Sequence, residues 1–259
     1  MSIPKEIHYC WFGYGEKSEL VKKCIESWMK YCPDCKIIEW NESNYDVTKN
    51  LYMYQAYQAK RWGFVSDVAR LDIIYENGGI YFDTDVELIK SIDPLWETNG
   101  FLGFEKDTGN RENKYCVNTG QGMGARAKDP IIRALLNEYK DIPFYKENGT
   151  QNLQPCPYYN TKALVRAGLR TENVKQRIGE LVVYPSEYFC PVDWKTHKCI
   201  ITENTYSIHH FDASWLTPEE KRQRQISRQV DFLIHMPNVV LKNVLGSYRY
   251  EKMKKKLKK

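Results

Sequence analysis

The sequence predicts an α/β fold in which a mainly parallel central sheet is flanked by helices. Two observations predict it. Through the first third of the chain, short apolar and aromatic runs alternate with segments of helical periodicity. The runs end at glycine or at polar residues, as the buried strands of a parallel sheet do, and such alternation puts helices on both sheet faces.

The elements follow in order. Glu6 to Phe12 is an apolar run ending at Gly13 and predicts the first strand. Ser18 caps a predicted helix in which Leu20, Val21, Cys24, Ile25, Trp28 and Met29 recur at helical spacing. Cys35 to Trp40 is a second strand, and the aromatic segment from Leu51 to Trp62 is helical. A further helix starts near Ser66, buries Val68, Leu71 and Ile74, and stops at Asn77-Gly78-Gly79, where glycine accepts the left-handed cap. Ile80 to Leu88 then reads as one strand running into polar residues. Later come a short strand at Phe101–Phe104 and a helix capped by Asp129 with Pro130 in its first turn. A late strand at Thr205–His209 and a capping-box helix start at Thr217-Pro218-Glu219-Glu220 follow. A length of 259 residues suits one large domain with an appendage, so the expectation is a single catalytic domain over 1–236 and a basic amphipathic tail over 237–259.

Composition removes several function classes. No apolar stretch approaches a membrane span, and the first residues lack the apolar core of a secretory leader, so the reading is a cytoplasmic protein. Eight scattered cysteines are too sparse for a disulfide scaffold, and reduced thiols are expected. Cys32-Pro33-Asp34-Cys35 follows a helix rather than opening one and has no second pair to complete a zinc site. The net charge of +5 is concentrated in the lysines after Tyr250, which argues against a nucleic-acid-binding face.

The sharpest chemical signal is Tyr81-Phe82-Asp83-Thr84-Asp85. Side chains at i and i+2 of an extended segment share a face, so the two carboxylates are expected to converge at a strand end, the ligand-binding edge of an open α/β sheet. Two carboxylates with phosphate oxygens and water are a donor set for Mg2+ or Mn2+. One helix upstream, Asp67 and Arg70 share a helix face at i, i+3, where they read either as a surface ion pair or as groups addressing a sugar.

These segments resemble glycosyltransferase family 32. The likeness rests on Ile3 to Gly13, Ser66-Asp67-Val68-Ala69-Arg70-Leu71, Gly78 to Glu87, and Tyr206 to Trp215, in that order, and it ends near residue 215. The resemblance implies a GT-A type fold and retaining transfer from a nucleotide-sugar. It implies that Trp11 stacks on the donor base and Tyr81 contacts base or ribose. Asp67 and Arg70 would hold the transferred sugar, and Asp83 and Asp85 the Mn2+ or Mg2+ ion, with His209 a late ligand. Asn118 would sit beside the sugar, and Ser214 and Trp215 would close over the leaving phosphate. The implied partners are a nucleotide-sugar donor, a UDP-sugar favoured, and a glycan or lipid-linked glycan acceptor, in capsular or surface polysaccharide synthesis.

Other readings fit less well. A haloacid-dehalogenase-type phosphatase would use Asp83 and Asp85 but places Thr or Val where Glu87 stands, and its motif opens the domain. A glycoside hydrolase needs two carboxylates but neither metal nor nucleotide. A non-catalytic carbohydrate-binding or membrane-docking module would not require both acidic motifs. At the end of the chain, Val240, Leu241, Val244, Leu245 and Tyr248 recur at roughly helical spacing before the lysines. That pattern fits either a helix at an anionic membrane surface or a segment packed on the domain with a solvated end.

Overall fold

The computed structural model describes residues 3–106, 115–192 and 198–212, with isolated positions beyond. The chain divides into two compact units, Met1–Trp215 and Leu216–Lys259. Residues 217–218, 240–241, 244–245 and 248, on which the late helix start and the amphipathic tail were read, lie outside the described residues.

The first unit is built from ten strands and six α-helices among its described residues. In chain order these are β1 (Glu6–Cys10), α1 (Glu19–Tyr31), β2 (Lys36–Trp40), α2 (Leu51–Gln58), α3 (Trp62–Asn77), β3 (Gly79–Tyr81), β4 (Val86–Leu88) and α4 (Asp93–Trp96). Then come β5 (Gly100–Lys106), β6 (Tyr115–Val117), β7 (Met123–Ala125), α5 (Pro130–Asn137), α6 (Cys156–Arg166), β8 (Gln176–Ile178), β9 (Leu181–Tyr184) and β10 (Ser207–His209). The main sheet runs β2-β1-β3-β7-β5-β9-β8, with β6 added to β5. Strands β2, β1, β3, β5 and β9 point one way, while β7 and β8 run against their neighbours. The sheet is therefore mixed and mainly parallel, the expected class.

Strand alternation divides the core into two layers. Ile7, Tyr9, Ile80, Phe101, Val182 and Tyr184 face α1 and α4. Cys10, Tyr81, Leu102, Phe104, Leu181 and Val183 face α2, α3, α5 and α6. Helix α1 is capped by Ser18 and buries Val21, Cys24 and Trp28 as expected, while Met29 stands exposed. Helix α5 starts where Asp129 accepts from the amides of Ile131 and Ile132.

Two expectations are corrected. The aromatic segment is not one helix. It ends at Gln58, and α3 begins at Trp62, four residues before Ser66, around a break where Lys60 adopts a positive φ of 57°. More consequentially, Ile80 to Leu88 is not one strand. It breaks after Tyr81 into a turn, closed by the Val86 amide on the Asp83 carbonyl at 3.1 Å, and resumes as β4 in a separate two-stranded sheet with β10. The close approach of β3 to parallel β1 needs glycine. Gly79 has φ 95°, and a Cβ there would stand 2.6 Å from the His8 imidazole and 2.9 Å from the Glu6 carbonyl.

Candidate active site

The candidate site is assembled at the carboxyl ends of parallel β1 and β3 from three elements that the core holds in place. Helix α3 is packed on most of its circumference, so Asp67 and Arg70 are buried with it rather than exposed as a surface pair. The Arg70 guanidinium spends its donors locally. Nε donates to the Ser66 carbonyl at 3.0 Å, and Nη2 to Asp67 Oδ1 at 2.7 Å, while Nη2 also lies 3.3 Å from Asp83 Oδ1. Nη1 lies 3.8 Å from the Cys156 sulfur, and the Tyr81 ring lies 5.3 Å from the guanidinium carbon. Burial works against the Arg70 charge, yet Asp83 and Asp67 hold its pKa well above the ordinary value. Burial raises the Asp67 carboxyl to about 6, despite Arg70 beside it.

The turn after β3 brings the two motif carboxylates together. They converge because the chain turns at 83–86, not because they alternate along a strand. The Asp83 amide donates to the Gly120 carbonyl at 2.8 Å, and the Tyr81 hydroxyl donates to Asp83 Oδ1 at 3.1 Å. A Cβ at Gly120 would stand 1.9 Å from Asp83 Oδ2 and 2.5 Å from Arg70 Nη1, so this carboxylate fits only against a bare backbone. Asp85 Oδ2 accepts from the Asp212 amide at 2.9 Å, and Oδ1 lies 3.5 Å from His209 Nε2.

Helix α1 fixes the far side of the turn. The Trp28 indole donates to the Val86 carbonyl at 2.8 Å, and the Ser27 hydroxyl accepts from the Leu88 amide at 2.9 Å. Strand β4 so held pairs with β10, placing His209 opposite Val86. The neighbouring side chains at the end of β10 diverge. His209 turns inward to Asp85, and His210 turns to Glu87 at 2.9 Å.

Asp83, Asp85 and His209 offer ligand atoms that all lie within 4.8 Å of one another. Two carboxylate oxygens and an imidazole nitrogen fit a hard divalent cation. Burial raises Asp85 and lowers His209, but their attraction outweighs it, so Asp85 sits below the carboxylate range and His209 well above the usual imidazole value.

Asp67, Arg70, Tyr81 and Asp83 thus form one contact network, and Asp83, Asp85 and His209 a second that shares Asp83. Trp11 stands at the same edge, just past β1, its indole nitrogen donating to the Gly15 carbonyl at 2.7 Å. The resemblance made Tyr81 a base or ribose contact. Tyr81 is 1% exposed, with its hydroxyl on Asp83 and its ring against Arg70. Asn118 is a turn former. Its Oδ1 accepts from the Gly120 amide at 2.8 Å, and its amide donates to Glu105 at 2.9 Å. Ser214 and Trp215 lie outside the described residues.

Cys156, Glu105 and Gly120 were not expected here. Cys156 opens α6 in a segment without a motif, and Glu105 is concealed at the end of an apolar strand. Gly120 follows Asn118, and an Asn-x-Gly turn was the one signal present.

Residues 18–102 match the family model described as the glycosyltransferase sugar-binding region containing a DXD motif. The matched segment contains Asp67, Arg70, Asp83 and Asp85, the core of the geometry above. About a third of the chain is thus a glycosyltransferase sugar-binding region. The chain has no match among curated protein sequences. Among solved structures it is similar to the PaToxG glycosyltransferase, at 18% identity and TM-score 0.48 over 64% of this chain and 70% of that one. It is also similar to a glycosyltransferase involved in glycosylating the PBCV-1 major capsid, at 14% identity and TM-score 0.41 over 86% and 98%. A third is the galactosyltransferase LgtC in complex with donor and acceptor sugar analogs, at 14% identity and TM-score 0.41 over 86% and 95%. At these TM-scores the likenesses assign neither residues nor substrates to the transferase.

Proposed function

We propose that the transferase moves a hexose or N-acetylhexosamine from a nucleotide-sugar, a UDP-sugar first, to a glycan or lipid-linked glycan acceptor. Asp83, Asp85 and His209 would hold Mn2+ or Mg2+ for the reaction. The observation that carries the reading is that Asp83 belongs to both networks. One carboxylate is tied to the Asp67–Arg70 pair, suited to sugar hydroxyls, and to the cluster suited to a cation. Sugar and diphosphate would then meet at a fixed spacing. An ion held there would supply positive charge against the diphosphate leaving group.

The chain's own residues supply positioning. Asp67 is oriented by Arg70 and accepts from sugar hydroxyls, while Arg70 carries positive charge into a site that excludes water. Trp11 offers an indole face to the base, worth about 1–3 kcal/mol in stacking. The retaining outcome and a role in capsular or surface polysaccharide synthesis, at the cytoplasmic membrane face, rest on the family resemblance. The lysine-rich end supports attraction to anionic lipid through its composition.

A thermal-shift panel of nucleotide-sugars with Mn2+ tests the reading, because a ligand that binds only the native state raises its apparent stability. One UDP-sugar with Mn2+ raises the midpoint, and EDTA removes the shift. A panel with no shift, or one unaffected by EDTA, overturns it.

A further inference from the structure

His209 faces two donor sets, not one. Its Nε2 lies 3.5 Å from Asp85, on the side of the oxygen-rich cluster. Its Nδ1 is buried without a hydrogen-bond partner. A second group of ligand atoms, from Glu105, Cys190 and His209, also lies within 4.8 Å, and all three side chains are buried. The Cys190 thiol, raised by burial and eased by contact with His209, is a reduced cysteine held in place by the short loop after β9. Glu105 comes from the end of β5 and is oriented by Asn118.

The two groups differ in chemistry. Two carboxylates and an imidazole suit Mn2+ or Mg2+, whereas sulfur, imidazole and one carboxylate suit Zn2+. They also share one ring. A neutral imidazole carries one lone-pair nitrogen and one N–H, so it ligates through one nitrogen at a time. We infer that Glu105, Cys190 and His209 form a second metal site for Zn2+, and that filling it withdraws His209 from the Asp83–Asp85 cluster. Zn2+ displaces two protons to solvent, one from the Cys190 thiol and one from Nδ1 of the imidazolium, and takes the Nδ1 lone pair so freed. The ring hydrogen then stays on Nε2, where it donates to Asp85 and no longer ligates. The site is thus inhibitory, a consequence that rests on the proposed role of His209; the metal binding itself does not.

Cobalt(II) titration of the full chain tests the site without any donor, since a thiolate ligand gives a sulfur-to-cobalt absorption band in the near ultraviolet. The wild-type protein shows the band, Zn2+ displaces it, Cys190→Ser and Cys190→Ala lose it, and Cys32→Ser keeps it. Circular dichroism checks that the variants fold. In the second arm, stoichiometric Zn2+ weakens Mn2+-supported UDP-sugar binding on the order of tenfold in the wild type and not in Cys190→Ser. No band in the wild type, or a band that survives in Cys190→Ser, overturns the site. A Zn2+ effect of equal size in Cys190→Ser places the zinc in the Asp83–Asp85 cluster and overturns the inhibitory link. Absence of nucleotide-sugar binding with the cobalt pattern intact counts against the proposed function and leaves the site standing.

Discussion

At the scale of single residues, the site depends on shape as much as charge. Arg70 holds Asp67, Asp83, the Ser66 carbonyl and the Tyr81 ring from one planar group. Lysine has neither the fork nor the flat face. Arg70→Lys is therefore expected to lose nearly as much transfer activity as Arg70→Ala, and the alanine variant to lose about 3–5 kcal/mol of stability by leaving the buried Asp67 carboxylate unpaired. Recovery of most activity by lysine, measured as kcat/KM, would show that only a point charge is needed. Gly120 is a stricter case. A methyl group there cannot coexist with the present Asp83 carboxylate, so Gly120→Ala should keep the fold and lose Mn2+ affinity, read by calorimetric titration. Unchanged affinity would show that the turn yields easily.

At the scale of elements, the turn at 83–86 is held from outside by α1. Ser27→Ala leaves the buried Leu88 amide without its acceptor, a cost of about 1–3 kcal/mol. A lowered unfolding midpoint is the expected readout, and an unchanged one would mean that water replaces the hydroxyl. This is also where sequence reading and structure part company. The helices α1 and α5 were legible because their caps and periodicity are local, and the glycine stop of α3 was legible for the same reason. The convergence of Asp83 and Asp85 was foreseen for the wrong reason. An apolar run entering polar residues looks like one strand, and only the pairing of β4 with β10, more than 100 residues away, pulls the chain into a turn there. Cys156, Glu105 and Cys190 were illegible because their proximity to the site depends on long-range packing that no local pattern encodes.

At the scale of the whole molecule, stability carries an internal pH dependence. His8 is buried in β1, with the Trp40 indole donating to Nδ1 at 3.1 Å and Glu6 and Lys36 nearby. Burial lowers its pKa from 6.5 to about 4, with Lys36 adding to the shift and the Gly78 carbonyl opposing it. Between those values the unfolded chain binds a proton that the native protein refuses. The His8 contribution to stability is thus full above pH 6.5 and falls toward pH 4, by up to about 1.4 kcal/mol per pH unit. Urea unfolding at pH 7 and pH 5 should show the slope in the wild type and a flatter one in His8→Gln. Equal slopes would assign the acid sensitivity elsewhere.

The account's central claim is that one turn serves both sugar and cation. Asp85→Ala tests it most directly, because that side chain projects from the turn toward His209 and carries none of the core packing. Calorimetric titration of the folded variant with Mn2+ and a UDP-sugar is the measurement, set beside transfer to an acceptor. The account predicts a native circular dichroism spectrum, no Mn2+-dependent donor binding and no transfer. A folded Asp85→Ala protein that binds donor with wild-type Mn2+ dependence and transfers at the wild-type rate would contradict it.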